Sequence, residues 1–182
     1  MTIIRSASTA TVSVVGEADL AAMEWWDGRE GFAARTWARE PLVVIVGPDH
    51  RWAGLGSLSV AELQGEPLLG GESGTGTGHL LRSGLGPLAN ALMIIDGFGS
   101  TEAVKRAVRA GCGASIVMES SVLDEVAARR LVALRVEGVE LAKEIKLIVP
   151  ETLPATAPAM ALFEASRSWG GAASDDRLPG LR

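Results

Sequence analysis

Residues 41–47, PLVVIVG, form a nearly unbroken apolar run rich in valine and closed by Gly-Pro-Asp. A run of that kind predicts a strand buried on both faces. LMIID at 92–96, GASIVM at 113–118, LVALRV at 131–136 and EIKLIV at 144–149 repeat it, the last two around the turn VEGVELAK. Between these runs the apolar period switches to that of a helix. Ser59 and Glu62 have capping-box spacing, which predicts a short helix from Val60 that stops by Gly65. PLL at 67–69 reads as a brief strand, with a helix from about Gly78 to Ser83 ending in SGLGP. Ala103, Val104, Ala107 and Val108 define one face of a helix over 101–110, with Ser100 as N-cap and Gly111 as stop. Ser121 is expected to cap a helix through Arg129 whose inner face is Val122, Leu123, Val126 and Ala127. A last helix starts near Ala157, with Thr156 as cap and Pro158 in its first turn, and carries Leu162 and Phe163 inward. Near the start, TATVSVV at 9–15 has strand composition, and the residues after Gly16 lead into a short strand at 20–23. WWDGREGF is a turn-rich link, and Trp25, Trp26 and Trp37 read as packing residues.

Strand, loop, helix, strand is the repeated unit, so the expected class is α/β with largely parallel sheets. Ligands in such folds sit beyond the carboxyl ends of the strands. Two turns occupy that position, ESGTGTG at 72–78 and GFGST at 97–101. Their small side chains let a ligand reach main-chain N–H groups, while Ser73, Thr75 and Thr77 add hydroxyl donors at what looks like a helix start. That describes an anion-binding pocket. The plain alternative, a flexible surface loop, stays open for the first turn taken alone, but a second turn of the same chemistry favours a ligand.

Composition narrows the function. Hydrophobic residues are 47% and charged residues 21%, with a net charge of −5. No apolar run approaches the ~18 residues of a membrane span, and the opening lacks the core of a signal peptide. The expected setting is therefore the cytoplasm. The densest basic group, Lys105, Arg106 and Arg109, lies opposite the apolar face of its helix and is expected to be solvated; nothing marks a nucleic-acid face. Cys112, the single cysteine, sits among small and apolar neighbours and reads as a buried structural thiol. Gly74, Gly76 and Gly78 with Asp96 suggest a dinucleotide site, but the spacing is GxGxG and the helix before the next strand looks too short for a crossover. No lysine follows the glycines, as a phosphate loop needs. His50, in the polar turn PDHR, and His79 have no obvious triad partners, and one cysteine with two histidines makes a zinc site hard to assemble. No catalytic residue, metal or cofactor is expected.

In order, PLVVIVGPDHRWAG, LSVAELQGEPLL, ESGTGTGHLL, GSTEAVKRAVRAGCGASIVMESSV and RRLVALRVEGVEL resemble the effector-binding domain of LysR-type transcriptional regulators, from roughly Gly16 to Trp169. The resemblance implies a type II periplasmic-binding-protein-like fold of two lobes joined by two crossover strands, with a small effector held between them. It implies a first lobe of residues 1–47 and 123–169, a second lobe of 48–122, and a mobile tail at 170–182. PLVVIVG and EIKLIV would be the crossovers. Ser73, Thr75, Gly76, Thr77, Gly99, Ser100 and Thr101 would contact the effector, expected to be a small anion. The family's N-terminal helix-turn-helix and the opening of the first lobe have no counterpart here, so contact with DNA is expected only through a helix-turn-helix outside this chain. The expected partners are a second copy or related regulators. A truncated interaction protein that dimerises without an effector is the alternative, and a nucleotide-binding enzyme a third.

Overall fold

The computed structural model describes residues 3–6, 18–71, 74–169 and 178. The elements in chain order are β1 (Ile3–Ser6), β2 (Leu20–Met23), β3 (Phe32–Val46), β4 (Ser57–Leu58), α1 (Val60–Gln64), β5 (Pro67–Leu69), α2 (Gly76–Leu85), β6 (Met93–Ile95), α3 (Thr101–Arg109), β7 (Ser115–Met118), α4 (Leu123–Ala127), β8 (Val132–Val136), β9 (Ala142–Pro150) and α5 (Pro158–Trp169). Single 3-10 turns follow α2 and β7. The strand expected at 9–15 lies outside the described residues. No described helix is long and apolar enough to cross a membrane.

Two compact units form. The first holds the described residues of Met1–Glu40 and Glu144–Ala173, the second those of Pro41–Lys143 and Ser174–Arg182. In the first, β1 runs parallel to β2, β2 antiparallel to β9, and β9 lies beside β3. Leu20, Leu147 and Val149 meet Ala159 and Phe163 of α5 in its core, with Trp37 and Leu162 packed against them. Arg35 ties α5 to β3: its Nη1 donates to the Phe163 carbonyl at 2.6 Å, and its guanidinium lies 4.4 Å from the Phe163 ring centre.

In the second unit β3 is the central strand, antiparallel to β7 on one edge and to β8 on the other. β4 runs parallel to β8, β5 to β6, and a parallel bridge from Leu68 to Ala114 brings β5 beside β7. β4 to β8 therefore point the same way, opposite to β3. The apolar run of β3 splits by the two-residue period of a strand. Leu42, Val44 and Val46 enter a core with Trp52, Leu63, Leu68, Leu81 and Leu134, while Val43 and Ile45 enter one with Val104, Val108 and Val117.

Several expectations change on contact with the fold. β3 begins at Phe32, well before Pro41, because a proline's fixed φ suits extended backbone and the preceding residues have β9 as a neighbour. Residues 41–47 and 123–143 pack within the second unit, where β3 pairs with β7 and β8. α2 runs ten residues, starting at Gly76 and passing through Ser83 and Gly84 to a stop at Gly86 (φ 54°), so with its 3-10 turn it does complete a crossover from β5 to β6. Ser121 caps no helix; its hydroxyl donates to the Met118 carbonyl at 2.7 Å, and α4 starts after Val122 without a side-chain cap. Cys112 is exposed, because it lies in the turn between α3 and β7 and not in either element. Leu178 is buried in the second unit.

Candidate functional site

β5 and β6 pair in register, Pro67 with Met93, Leu68 with Ile94 and Leu69 with Ile95, so their carboxyl ends lie side by side. Each leads into glycines held in the left-handed backbone region that other residues rarely adopt. Gly70, Gly71 and Gly74 have φ of 75°, 78° and 97°, and Gly97 and Gly99 have 91° and 69°. The Gly70 N–H donates to the Ile95 carbonyl at 2.8 Å, tying the start of the first turn to the last residue of β6. A Cβ on Gly71 would come within 3.3 Å of Leu81 Cδ1, so the turn lies close against α2.

Both turns deliver the chain into a capped helix. Thr75 Oγ1 accepts the Gly78 N–H at 3.0 Å, and Ser100 Oγ accepts the Ala103 N–H at 3.2 Å. An α-helix leaves its first N–H groups without intrahelical acceptors, and each cap takes only one of them. The starts of α2 and α3 are therefore two partially positive, donor-rich termini, each following one strand of the β5–β6 pair. Of the residues expected to contact an effector, Thr75, Gly76 and Thr77 lie at the first terminus and are half-buried, and Gly99, Ser100 and Thr101 lie at the second and are exposed. Ser73 lies outside the described residues.

The charge around α3 differs from the solvated face that helical spacing predicts. Lys105 is not solvated: it is 8% exposed, and its Nζ reaches Glu102 at 2.6 Å, Glu125 at 2.8 Å and the Ser121 carbonyl at 2.9 Å. Burial pulls the Lys105 pKa down, yet the hydrogen bonds to Glu102 and Glu125 outweigh it and hold the ammonium above its usual range. The hydrogen bond from Lys105 holds Glu125 below the usual carboxylate range. Lys105 thus compensates the one acid in the first turn of α3. Glu125 and Ser121 lie later in the chain, invisible to helical periodicity; the i,i+3 spacing from Glu102 is the local signal.

A pH dependence follows. A lowered Glu125 contributes stability that is complete above the ordinary carboxylate range and lost as pH falls through its folded value. The raised Lys105 contributes stability that is complete below the ordinary lysine range and lost only as pH rises past it. Lys105→Met is expected to lose about 2 kcal/mol at neutral pH. Its urea midpoint should also fall less steeply than the parent's between roughly pH 5 and 3. Parallel acid profiles for the two proteins would remove the pair from the account.

His50 is structural. Its Nε2 lies 3.1 Å from Glu66, its Nδ1 accepts the Trp52 N–H at 3.2 Å, and Arg51 also holds Glu66 at 2.9 Å. Both ring nitrogens are thereby occupied in fastening the turn after β3, and the ring is half-buried. Among the described residues, no three His, Cys, Asp or Glu side chains gather as metal ligands would.

Residues 14–170 match the family model described as LysR substrate binding domain. The chain belongs to that family. A relative of this LysR domain is a RuBisCO operon transcriptional regulator from Allochromatium vinosum, 37% identical over 105 residues, covering 58% of this chain and 35% of the regulator. The chain matches about a third of the length of that protein. Among solved structures, the Synechocystis PCC6803 CcmR regulatory domain in complex with 2-PG aligns at a TM-score of 0.67 and 19% identity, over 85% of this chain and 74% of that one. The effector-binding domain of QuiR in complex with shikimate aligns at 0.70 and 18%, over 84% and 71%. These neighbours share the periplasmic-binding-protein-like fold, in agreement with the family resemblance read from the sequence. The relatives are described as transcriptional regulators.

Proposed function

We propose that this domain senses a small anionic metabolite at the paired N-termini of α2 and α3 and thereby controls transcription in the cytoplasm. The observation that carries the reading is the geometry of the two turns: capped helix starts leaving neighbouring parallel strands, with Lys105 compensating Glu102 beside them. Main-chain N–H groups at helix starts favour carboxylate or phosphate oxygens, and flanking hydroxyls add directional donors. In this arrangement Thr75, Gly76 and Thr77 form one side of the contact and Gly99, Ser100 and Thr101 the other, with Ser73 between Gly71 and Gly74 in the chain. That two fold neighbours hold small molecules, 2-PG and shikimate, supports a small-molecule effector. Calorimetric screening of small carboxylates, sulfate and phosphate tests the reading. The best binder is expected to lose about tenfold in affinity on Thr75→Ala/Thr77→Ala, as two lost hydrogen bonds require. Unchanged affinity in that double variant would exclude the first turn.

One observation favours a second reading, pairing with another copy or a related regulator. Met93 and Ile95 stand on one face of β6 at 51% and 41% exposure, with Leu88 at 52% in the 3-10 turn before it. Single exposed apolar residues are ordinary, but two on one face of an edge strand, with a third in the turn before it, favour an association surface. Met93→Lys/Ile95→Lys is expected to convert a sedimenting dimer into a monomer. A monomeric parent would dismiss this surface.

A further inference from the structure

We propose that the carboxyl end of β7 is a docking site for Leu178, and that this anchor positions the GFGST turn and α3. The site is a third feature on the same edge of the sheet. β5 pairs in parallel with β6 and, through Leu68 and Ala114, with β7, so Glu119 follows the carboxyl end of β7 just as the two turns follow β5 and β6. Glu119 is 2% exposed, and a buried carboxylate needs donors for both oxygens. Arg135 of β8 supplies one, Nη2 to Oε2 at 2.9 Å. The other comes from far along the chain, the Leu178 main-chain N–H to Oε1 at 2.8 Å.

The Leu178 side chain completes the anchor. It is 5% exposed and belongs to the apolar cluster that contains Leu69, Val104, Val117 and Val122, with Phe98 packed against it. Leu69 is the last residue of β5 before the first turn, Phe98 lies inside the second turn, and Val104 lies at the start of α3. One leucine near the chain's end thus shares a core with both turns. Its N–H also helps compensate a negative charge on the edge to which we assign an anion. Docking of Leu178 and anion binding at the turns stabilise the same arrangement, so each should strengthen the other. This coupling rests on the effector reading above; the docking itself does not.

The test uses the full chain with Leu178→Ala, which removes the side chain and keeps the N–H, and Leu178→Pro, which removes the N–H and keeps apolar bulk. Amide hydrogen exchange at 98–105 and 117–123 is expected to quicken about threefold to tenfold in each variant, the equivalent of one lost contact. The central residues 42–46 of β3 should hold their parental rate, which a general loss of stability would not allow. Leu178→Met is expected to restore parental exchange. Parental rates at 98–105 and 117–123 in both the alanine and proline variants would overturn the docking site. Inorganic phosphate affinity, measured by calorimetry, forms the second arm: a severalfold loss in both variants supports the positioning role, and equal affinity overturns it. If the parent takes up no phosphate or carboxylate, the effector reading and the coupling fall together, while the exchange arm still decides the docking.

Discussion

Gly113→Ala is expected to destabilise the second unit by about 3–4 kcal/mol, read as a lowered urea midpoint with an unchanged slope. Gly113 has φ of 143°, and a Cβ there would lie 2.5 Å from the Pro67 carbonyl oxygen and 3.2 Å from the Pro67 Cβ. Neither obstacle is a flexible side chain. The Pro67 carbonyl accepts the Ala114 N–H at 2.9 Å, the Leu69 N–H donates to the Ala114 carbonyl at 2.8 Å, and Ser115 Oγ donates to the Leu69 carbonyl at 2.6 Å. To admit a methyl group, β5 must move away from β7 and break these links together. Gly138→Ala serves as a control. Its φ of 70° is strained for alanine, but nothing lies within 4 Å of the new methyl group, so about 1 kcal/mol is expected. Equal losses at the two positions would show that backbone strain, not the close approach of β5, sets the requirement for Gly113.

Ile45→Ala should lose about 2–5 kcal/mol, the range for emptying a well-packed core position. Ile45 is fully buried on the central strand and shares its cluster with Leu69, Val104 and Val108. The cavity would therefore open beneath both the end of β5 and α3. The loss should be accompanied by faster amide exchange in α3. Val44 lies one residue away on the opposite face, with Leu68, Leu81 and Leu134. Exchange in α3 that is as slow in Ile45→Ala as in Val44→Ala would contradict the assignment of alternate β3 residues to two separate cores.

Much of this was legible because it depends on neighbours in the chain. Ser59 and Glu62 form the predicted capping box, both bonds present, and the helix stops at Gly65. Ser100 caps α3 because an N-cap needs only the N–H three residues on. The apolar run of β3 announced burial on both faces, and its two-residue period sorted the side chains between two cores. The glycine turns were visible by composition, and their place after strands came from the alternation of elements.

What tertiary structure alone decided concerns partners distant in sequence. Lys105 looks solvated by helical periodicity, yet Glu125 and the Ser121 carbonyl bring its charge into a buried site. Cys112 looks buried by composition, yet its place between α3 and β7 leaves it at the surface. Leu178 sits in a stretch too polar to predict any packing, yet its side chain enters an apolar cluster and its N–H meets the Glu119 oxygen that Arg135 leaves open. Local spacing determines caps, turns and the period of burial, since those act over three or four residues. It cannot determine which charges meet or which segment fills a gap, because those depend on where the sheet brings remote residues together.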